Sequence, residues 1–423
     1  MRERQELMKE LLDNANIPAL SLSWCQKGAR HVVADGQTDT TAPSQVDTNT
    51  LFQAASLSKP VSAAIVLDLV SQGKWDLDTS LADIADFGPP ELKQDRHYRT
   101  LTTRMVIGQC SGLANFGQDG DDGRKFIATP NTRFTYSGVA LDFLKQVIEK
   151  KLGKTWEELA QDFFKKAGMK SSSFLTQLPG GHLHGTSREV ARAHMADPAP
   201  DGPLRPLPPL PDDAPAVPAG SMITTAEDYI TFLQYCFKND YLKSTLLTGA
   251  LSTLPPTISP ETTQVQWGLG MGVYHDRDSG KTIAFHWGNN KGSISFCAMD
   301  MKTGDCVASF SNSMNGPTVF QKVAESIVGN VTPLFQWLAT YSNFKDVNPP
   351  KASDAIATTV HSIRSVARAE LSEARDEVTS RFKRHVQQER AGYMEPTISS
   401  KAKERECVTP SPLETTPKPP WKP

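Results

Sequence analysis

The residues with the clearest chemical potential are Ser56 and Lys59 in the run Ser56-Leu57-Ser58-Lys59. A serine hydroxyl is a weak nucleophile until a neighbouring base takes its proton. Residues i and i+3 share one helix face, with Cβ atoms ~5–6 Å apart. This spacing therefore sets an amine beside a hydroxyl. Apolar surroundings would lower the amine's pKa and leave a neutral base near neutral pH. The helix start would favour the negative charge that develops during acyl transfer. No Gly-x-Ser-x-Gly elbow occurs, so serine activation by that route is excluded.

Other chemistries find less support. The six cysteines (Cys25, Cys110, Cys236, Cys297, Cys306, Cys407) form no CxxC pair and read as inert thiols. No HExxH is present, and the His182-Leu183-His184 cluster lies in a loop-like stretch, so neither a metal nor another cofactor is expected. Gly280-Lys281-Thr282 lacks the upstream glycine of a phosphate loop. Lys+Arg of 45 against Asp+Glu of 47 leaves a formal charge of −2, which does not advertise nucleic-acid binding. No apolar stretch reaches the ~20 residues of a membrane span. The charged opening MRERQELMKELLDN has no apolar signal-peptide core, so a cytoplasmic location is expected.

The elements that would hold this chemistry alternate between helix and strand. Residues 18–34 read as two strands around Gln26-Lys27-Gly28. From Ser56 to Val70 the chain is apolar on nearly all faces, which indicates a helix buried on every side. Residues 139–152 form an amphipathic helix, Thr155 with Glu158 a capping box, and Thr224 with Glu227 a second cap. Between 264 and 313 the period becomes two, in four strand-like runs. The pattern predicts an α+β fold whose antiparallel sheet joins N-terminal and late strands, flanked by helices and a helical subdomain.

Three stretches resemble the serine β-lactamase and penicillin-binding-protein family, in its class C-like esterase and D-peptidase branch. LFQAASLSKPV (51–61) is similar to its active-site signature, PNTRFTYSGVALDFLKQVIEKKLGKTWEEL (130–159) to its tyrosine motif, and AFHWGNNKGSISF (284–296) to its third motif. MVIGQCSGL (105–113) and PAGSMITTAEDYITFLQ (218–234) resemble intervening segments, so the likeness covers about residues 10–335. It implies a β-lactamase/transpeptidase-like fold. It also implies a nucleophile at Ser56, a base at Lys59, a second base and proton donor at Tyr136, and hydrogen bonding from His286. The backbone N–H groups of Ser56 and Asn289 would form the oxyanion hole, and Trp287 and Gly288 would line the substrate strand. Lys302-Thr303-Gly304 matches the third motif literally, but reads as a hairpin turn.

Departures from the family pattern narrow the chemistry. Gly138 stands where penicillin-recognising members carry an asparagine, His286 where they carry lysine, and Gln109 where histidine is common. The first two point away from efficient β-lactam hydrolysis and toward small esters, amides or D-amino-acid-type peptides. The leading expectation is a serine hydrolase acting through an acyl-enzyme on Ser56. An acyltransferase built on the same intermediate and a catalytically decayed scaffold that binds a partner are the alternatives.

Three organisational expectations complete the reading. Residues 196–219 hold nine prolines between Pro198 and Pro218 and read as an extended surface loop over one domain, with a linker between independent domains as the alternative. The hydrolase domain spans 1–345. A helical extension over 346–396 carries the stripe Ile356, Val360, Ile363, Ala367, Leu371, Ala374, Val378 and Phe382, and residues 353–391 either dock on the body or serve self-association or a partner. Residues 397–423 are too polar and proline-rich to pack. Removal of everything after about residue 346 should leave catalysis intact.

Overall fold

A computed structural model describes residues 2–116, 125–176, 189–195, 204–248, 264–341 and 353–392. His182, His184, Cys407 and the 397–423 segment lie outside the described residues. The strands are, in chain order, β1 (Ala19–Gln26), β2 (Ala29–Gly36), β3 (Phe52–Gln53), β4 (His194–Met195), β5 (Arg205–Pro206), β6 (Ile223–Thr224), β7 (Gln264–Trp267), β8 (Gly272–His275), β9 (Thr282–Asn289), β10 (Ile294–Asp300) and β11 (Cys306–Ser311). Seven form one antiparallel sheet in the order β2-β1-β11-β10-β9-β8-β7. The first strand thus pairs with the last, Leu20 opposite Ser311 and Cys25 opposite Cys306. This is the expected α+β sheet.

Period-two alternation divides the sheet's side chains between two cores. Leu20, Leu22, Trp24, Phe285, Trp287, Phe296 and Val307 face a core closed by the helices Arg2–Ala15, Gly316–Val328 and Thr332–Tyr341. Cys25, Ala284, Cys297, Cys306 and Ala308 face a second core that contains the helix Ser58–Ser71. That helix buries eleven of its fourteen residues, which accounts for its all-round apolar sequence. Its Pro60 is tolerated because it sits in the first turn, where no intrahelical N–H bond is lost.

Several local details differ from expectation. The run QVQWGLGMGVY is two strands, β7 and β8, because Gly268-Leu269-Gly270 turns the chain between them. The cap of the helix Ala226–Lys238 is Thr225, which accepts from Asp228 N–H, since Thr224 pairs with Phe52 in the β3–β6 ladder. Lys302-Thr303-Gly304 is the turn between β10 and β11, as read.

Packing divides the chain into residues 1–369 and 370–423. The boundary expected at 345/346 differs from this one for a physical reason. Ile356, Val360, Ile363 and Ala367, on the helix Ser353–Gly392, are buried in the same core as Leu20 and Trp287. Arg364 and Arg368 also donate to Gln26 Oε1. In the second unit, Val378 is exposed.

Candidate active site

Ser56 lies in a 3₁₀ turn, Ala55–Leu57, that leads directly into the helix Ser58–Ser71. Side chains three apart nearly eclipse in a 3₁₀ turn. Lys59 Nζ accordingly lies 2.9 Å from Ser56 Oγ, and also donates to the Ala219 carbonyl at 2.9 Å. Lys59 is buried, and burial lowers its pKa to about 7. The Ala219 carbonyl holds one N–H of the neutral amine. The nitrogen lone pair is then free to take the Ser56 proton across the 2.9 Å contact. Ala55 enters the turn at φ 49°, a left-handed conformation that non-glycine residues adopt at a cost.

Tyr136 precedes the helix Gly138–Leu152, and Lys59 Nζ stands 4.6 Å from its ring centre. The 109–115 segment grips the backbone on both sides of it. Thr135 N–H donates to the Gln109 carbonyl (2.6 Å) and Ser137 N–H to Gln109 Oε1 (2.7 Å). Ser137 Oγ donates to the Ala114 carbonyl, and Gly138 N–H to Asn115 Oδ1, both at 2.8 Å. Gln109 is buried and itself held at φ 53°. Its departure from histidine thereby acquires a physical account: a neutral amide oxygen secures the tyrosine loop. Neither Gln109 nor Asn115 was picked out as functional from sequence. Their proximity to the Ser-Gly-Leu segment was the one available signal.

β9 supplies the opposite side. Gly288 is there because of a close approach: a Cβ on it would lie 2.5 Å from the Ala54 carbonyl oxygen and 2.9 Å from Ser56 N. The strand thus runs against the amide of Ser56, and Asn289, the next residue, lines the same cleft as Ser56 and Lys59. His286 is fully buried. Its Nδ1 lies 2.8 Å from the Trp287 carbonyl, an acceptor, so the hydrogen sits on Nδ1 and leaves Nε2 with its lone pair. Burial first, and the Lys59 charge second, push its pKa down to about 3, so the ring is neutral. Its ring centre is 6.1 Å from that of Tyr136.

The structure brings Ser56, Lys59, Tyr136, His286, Gly288 and Asn289 together. Trp287 is placed differently. Strand alternation turns it to the other face from Gly288 and into the core, where it stacks on Tyr136 at 5.3 Å and meets Trp337 edge-on. Its side chain therefore meets the tyrosine, and Trp287 is not among the described residues lining the cleft. The cleft in front of Ser56 has a volume of about 640 Å³, and residues 207–217 of the proline-rich loop contribute part of its wall. Among the described residues, no group of three or more His, Cys, Asp or Glu side chains is placed to hold a metal ion.

Comparison with known proteins gives the family and the fold. The beta-lactamase family's sequence model matches residues 4–329. Penicillin-binding protein 4 of Amycolatopsis lactamdurans is 26% identical over 247 residues, 54% of this chain and 61% of that protein. The chain thus spans less than two thirds of this relative. Among solved structures, the octameric penicillin-binding protein homologue from Pyrococcus abyssi superposes with a TM-score of 0.62 at 19% identity, covering 83% of this chain and 78% of the other. D-amino acid amidase from Ochrobactrum anthropi SV3 gives 0.56 at 20% identity, covering 73% and 91%. At such identities the structures speak for the β-lactamase/transpeptidase-like fold alone. The family match, spanning most of the chain, establishes kinship: the chain belongs to the beta-lactamase family.

Proposed function

We propose that the protein is a serine hydrolase that forms an acyl-enzyme on Ser56 from small esters or amides. The observation that carries this reading is the 2.9 Å contact between Ser56 Oγ and a buried Lys59 whose pKa is lowered to about 7. Ser56 attacks the acyl carbonyl while Lys59 takes its proton. The N–H groups of Ser56 and Asn289 meet the oxyanion, where preorganised donors act most strongly. Lys59, with Tyr136 against it, returns the proton to the leaving group. Water then attacks the acyl-enzyme and regenerates Ser56. The neutral His286 supplies no cation for a substrate carboxylate, which supports esters and amides over carboxylate-bearing β-lactams.

The test is intact-mass spectrometry after exposure to a fluorophosphonate, for the wild type and Ser56→Ala. One adduct on the wild type and none on the variant is the expected result. Equal labelling of both removes Ser56 as nucleophile.

A further inference from the structure

The cleft in front of Ser56 carries an apolar wall. The reasoning rests on Ser56 as the acylated residue. A Cβ on Gly138 would lie 2.5 Å from Phe116 Cε2 and 3.0 Å from Ala219 Cβ. The phenyl ring of Phe116 therefore occupies the space into which a side chain at 138 would project. That ring lines the cleft and is 51% exposed, one of two large apolar side chains so exposed among the described residues.

Leu207, Pro208, Leu210 and Val217 add further apolar surface to the cleft, with Phe174 beside them. This strap is pinned. Leu207 N–H donates to the Ala193 carbonyl (2.8 Å), and the Arg192 guanidinium donates to the Leu207 carbonyl from Nε (3.0 Å) and Nη2 (2.8 Å). Thr176 Oγ1 donates to the Pro211 carbonyl, and Ser221 Oγ accepts from Val217 N–H. One polar side chain of the cleft, Asn290, is already engaged: its Nδ2 donates to the Gly220 carbonyl (3.0 Å) and to Gln53 Oε1 (3.4 Å). No carboxylate is among the described lining residues, and the exposed Lys291 adds a cation. A preformed cleft with an apolar wall and few free polar groups selects for apolar ligand surface.

We propose that the acyl half of the substrate is apolar and uncharged, of aryl or medium-chain alkyl character, and sits on Phe116 and the Leu207–Val217 strap. A series of p-nitrophenyl esters tests it. Rates are corrected for intrinsic reactivity with hydroxide, and the readout is the hexanoate-to-acetate ratio of kcat/KM. In the wild type this ratio is expected to exceed about tenfold, below the full worth of four buried methylenes because the cleft is open. Phe116→Ala and Leu210→Ala should each cut it to about threefold or less.

A flat series in the wild type, with acetate turned over and Ser56 labelled, overturns the subsite and leaves the acyl-enzyme intact. An unchanged ratio in both variants does the same. A preference for the glutarate half-ester over pentanoate that Lys291→Ala abolishes would make the subsite anion-binding and overturn its apolar assignment. Failure of every ester together with failure of Ser56 to label is a different result, because it removes the acyl-enzyme itself.

Discussion

Replacing Lys59 with methionine separates the chemistry of the site from its cost in stability. An unfolded lysine titrates near 10.5, whereas the buried Lys59 titrates at about 7. Between those values the unfolded chain holds a proton that the folded chain lacks, so stability rises with pH by about 1.36 kcal/mol per pH unit. At pH 7 and below, keeping Lys59 in the fold therefore costs about 5 kcal/mol, and at pH 10.5 this cost has vanished. Methionine removes the cost but loses the hydrogen bonds with Ser56 Oγ and the Ala219 carbonyl. Those losses amount to about 3 kcal/mol, mostly from a carbonyl left dry. Lys59→Met should therefore be more stable than the wild type by about 2 kcal/mol at pH 7, and less stable by about 1 kcal/mol at pH 9. Urea unfolding followed by tryptophan fluorescence, over pH 6.5–9.5, measures the difference, and the two stability curves should cross near pH 8–8.5. Parallel curves would refute the neutral buried amine, and with it the base assigned to Ser56.

The same amine sets the pH dependence of catalysis. Lys59 accepts a proton only when neutral, so kcat/KM for a p-nitrophenyl ester should climb as pH rises through about 7 and then level off. Gln109→Met keeps the volume but removes the acceptor for Ser137 N–H. Thermal melts should show a loss of about 1–3 kcal/mol, and steady-state kinetics a kcat about tenfold lower at little-changed KM. Truncation gives the remaining check. A chain ending at Ala369 should melt within a few degrees of the full chain. One ending near residue 346 loses buried Ile356, Val360 and Ile363 and should be destabilised by several kcal/mol. Equal melting of the two would place the extension outside the core.

The features legible in sequence were those that depend on short-range spacing. Ser56 and Lys59 sit three apart in one chain segment, so their contact follows from local geometry. The all-round apolar run after Ser56 could only be a buried helix, and it is. What was not legible depends on pairs far apart in sequence. Gln109 grips residues 135 and 137 through one amide and one carbonyl, and nothing in either segment alone indicates the pairing. The burial of Trp287 against Tyr136 depends on which face of β9 it occupies, and a motif position does not specify a face. The neighbouring Gly288, forced against Ser56, fixes that face. The stripe Ile356 to Ala367 was visible, but periodicity describes a face and not its partner, so its place in the main core could not be read.

The three departures from the family pattern make sense together. Gly138 frees a space that Phe116 fills, so an amide contact becomes a phenyl surface. His286 is neutral and sealed in, so the strand cation is gone, yet its position beside Lys59 still matters: a lysine there would add a second positive charge next to the amine. Gln109 then holds the tyrosine loop with a neutral group that titrates at no pH, leaving Lys59 as the proton acceptor of the trio Ser56, Lys59 and His286 near neutrality. The His286 ring keeps a second charge away from Lys59, and the Ser56–Lys59 contact stands at 2.9 Å. That combination is what the proposed acyl-enzyme on an apolar acyl group requires. His286→Lys would test the link directly. A cation beside Lys59 should push the amine's pKa further down, shifting the alkaline plateau of kcat/KM to lower pH. A profile that stays at about 7 would mean that position 286 is electrically silent and that its histidine is only a packing residue.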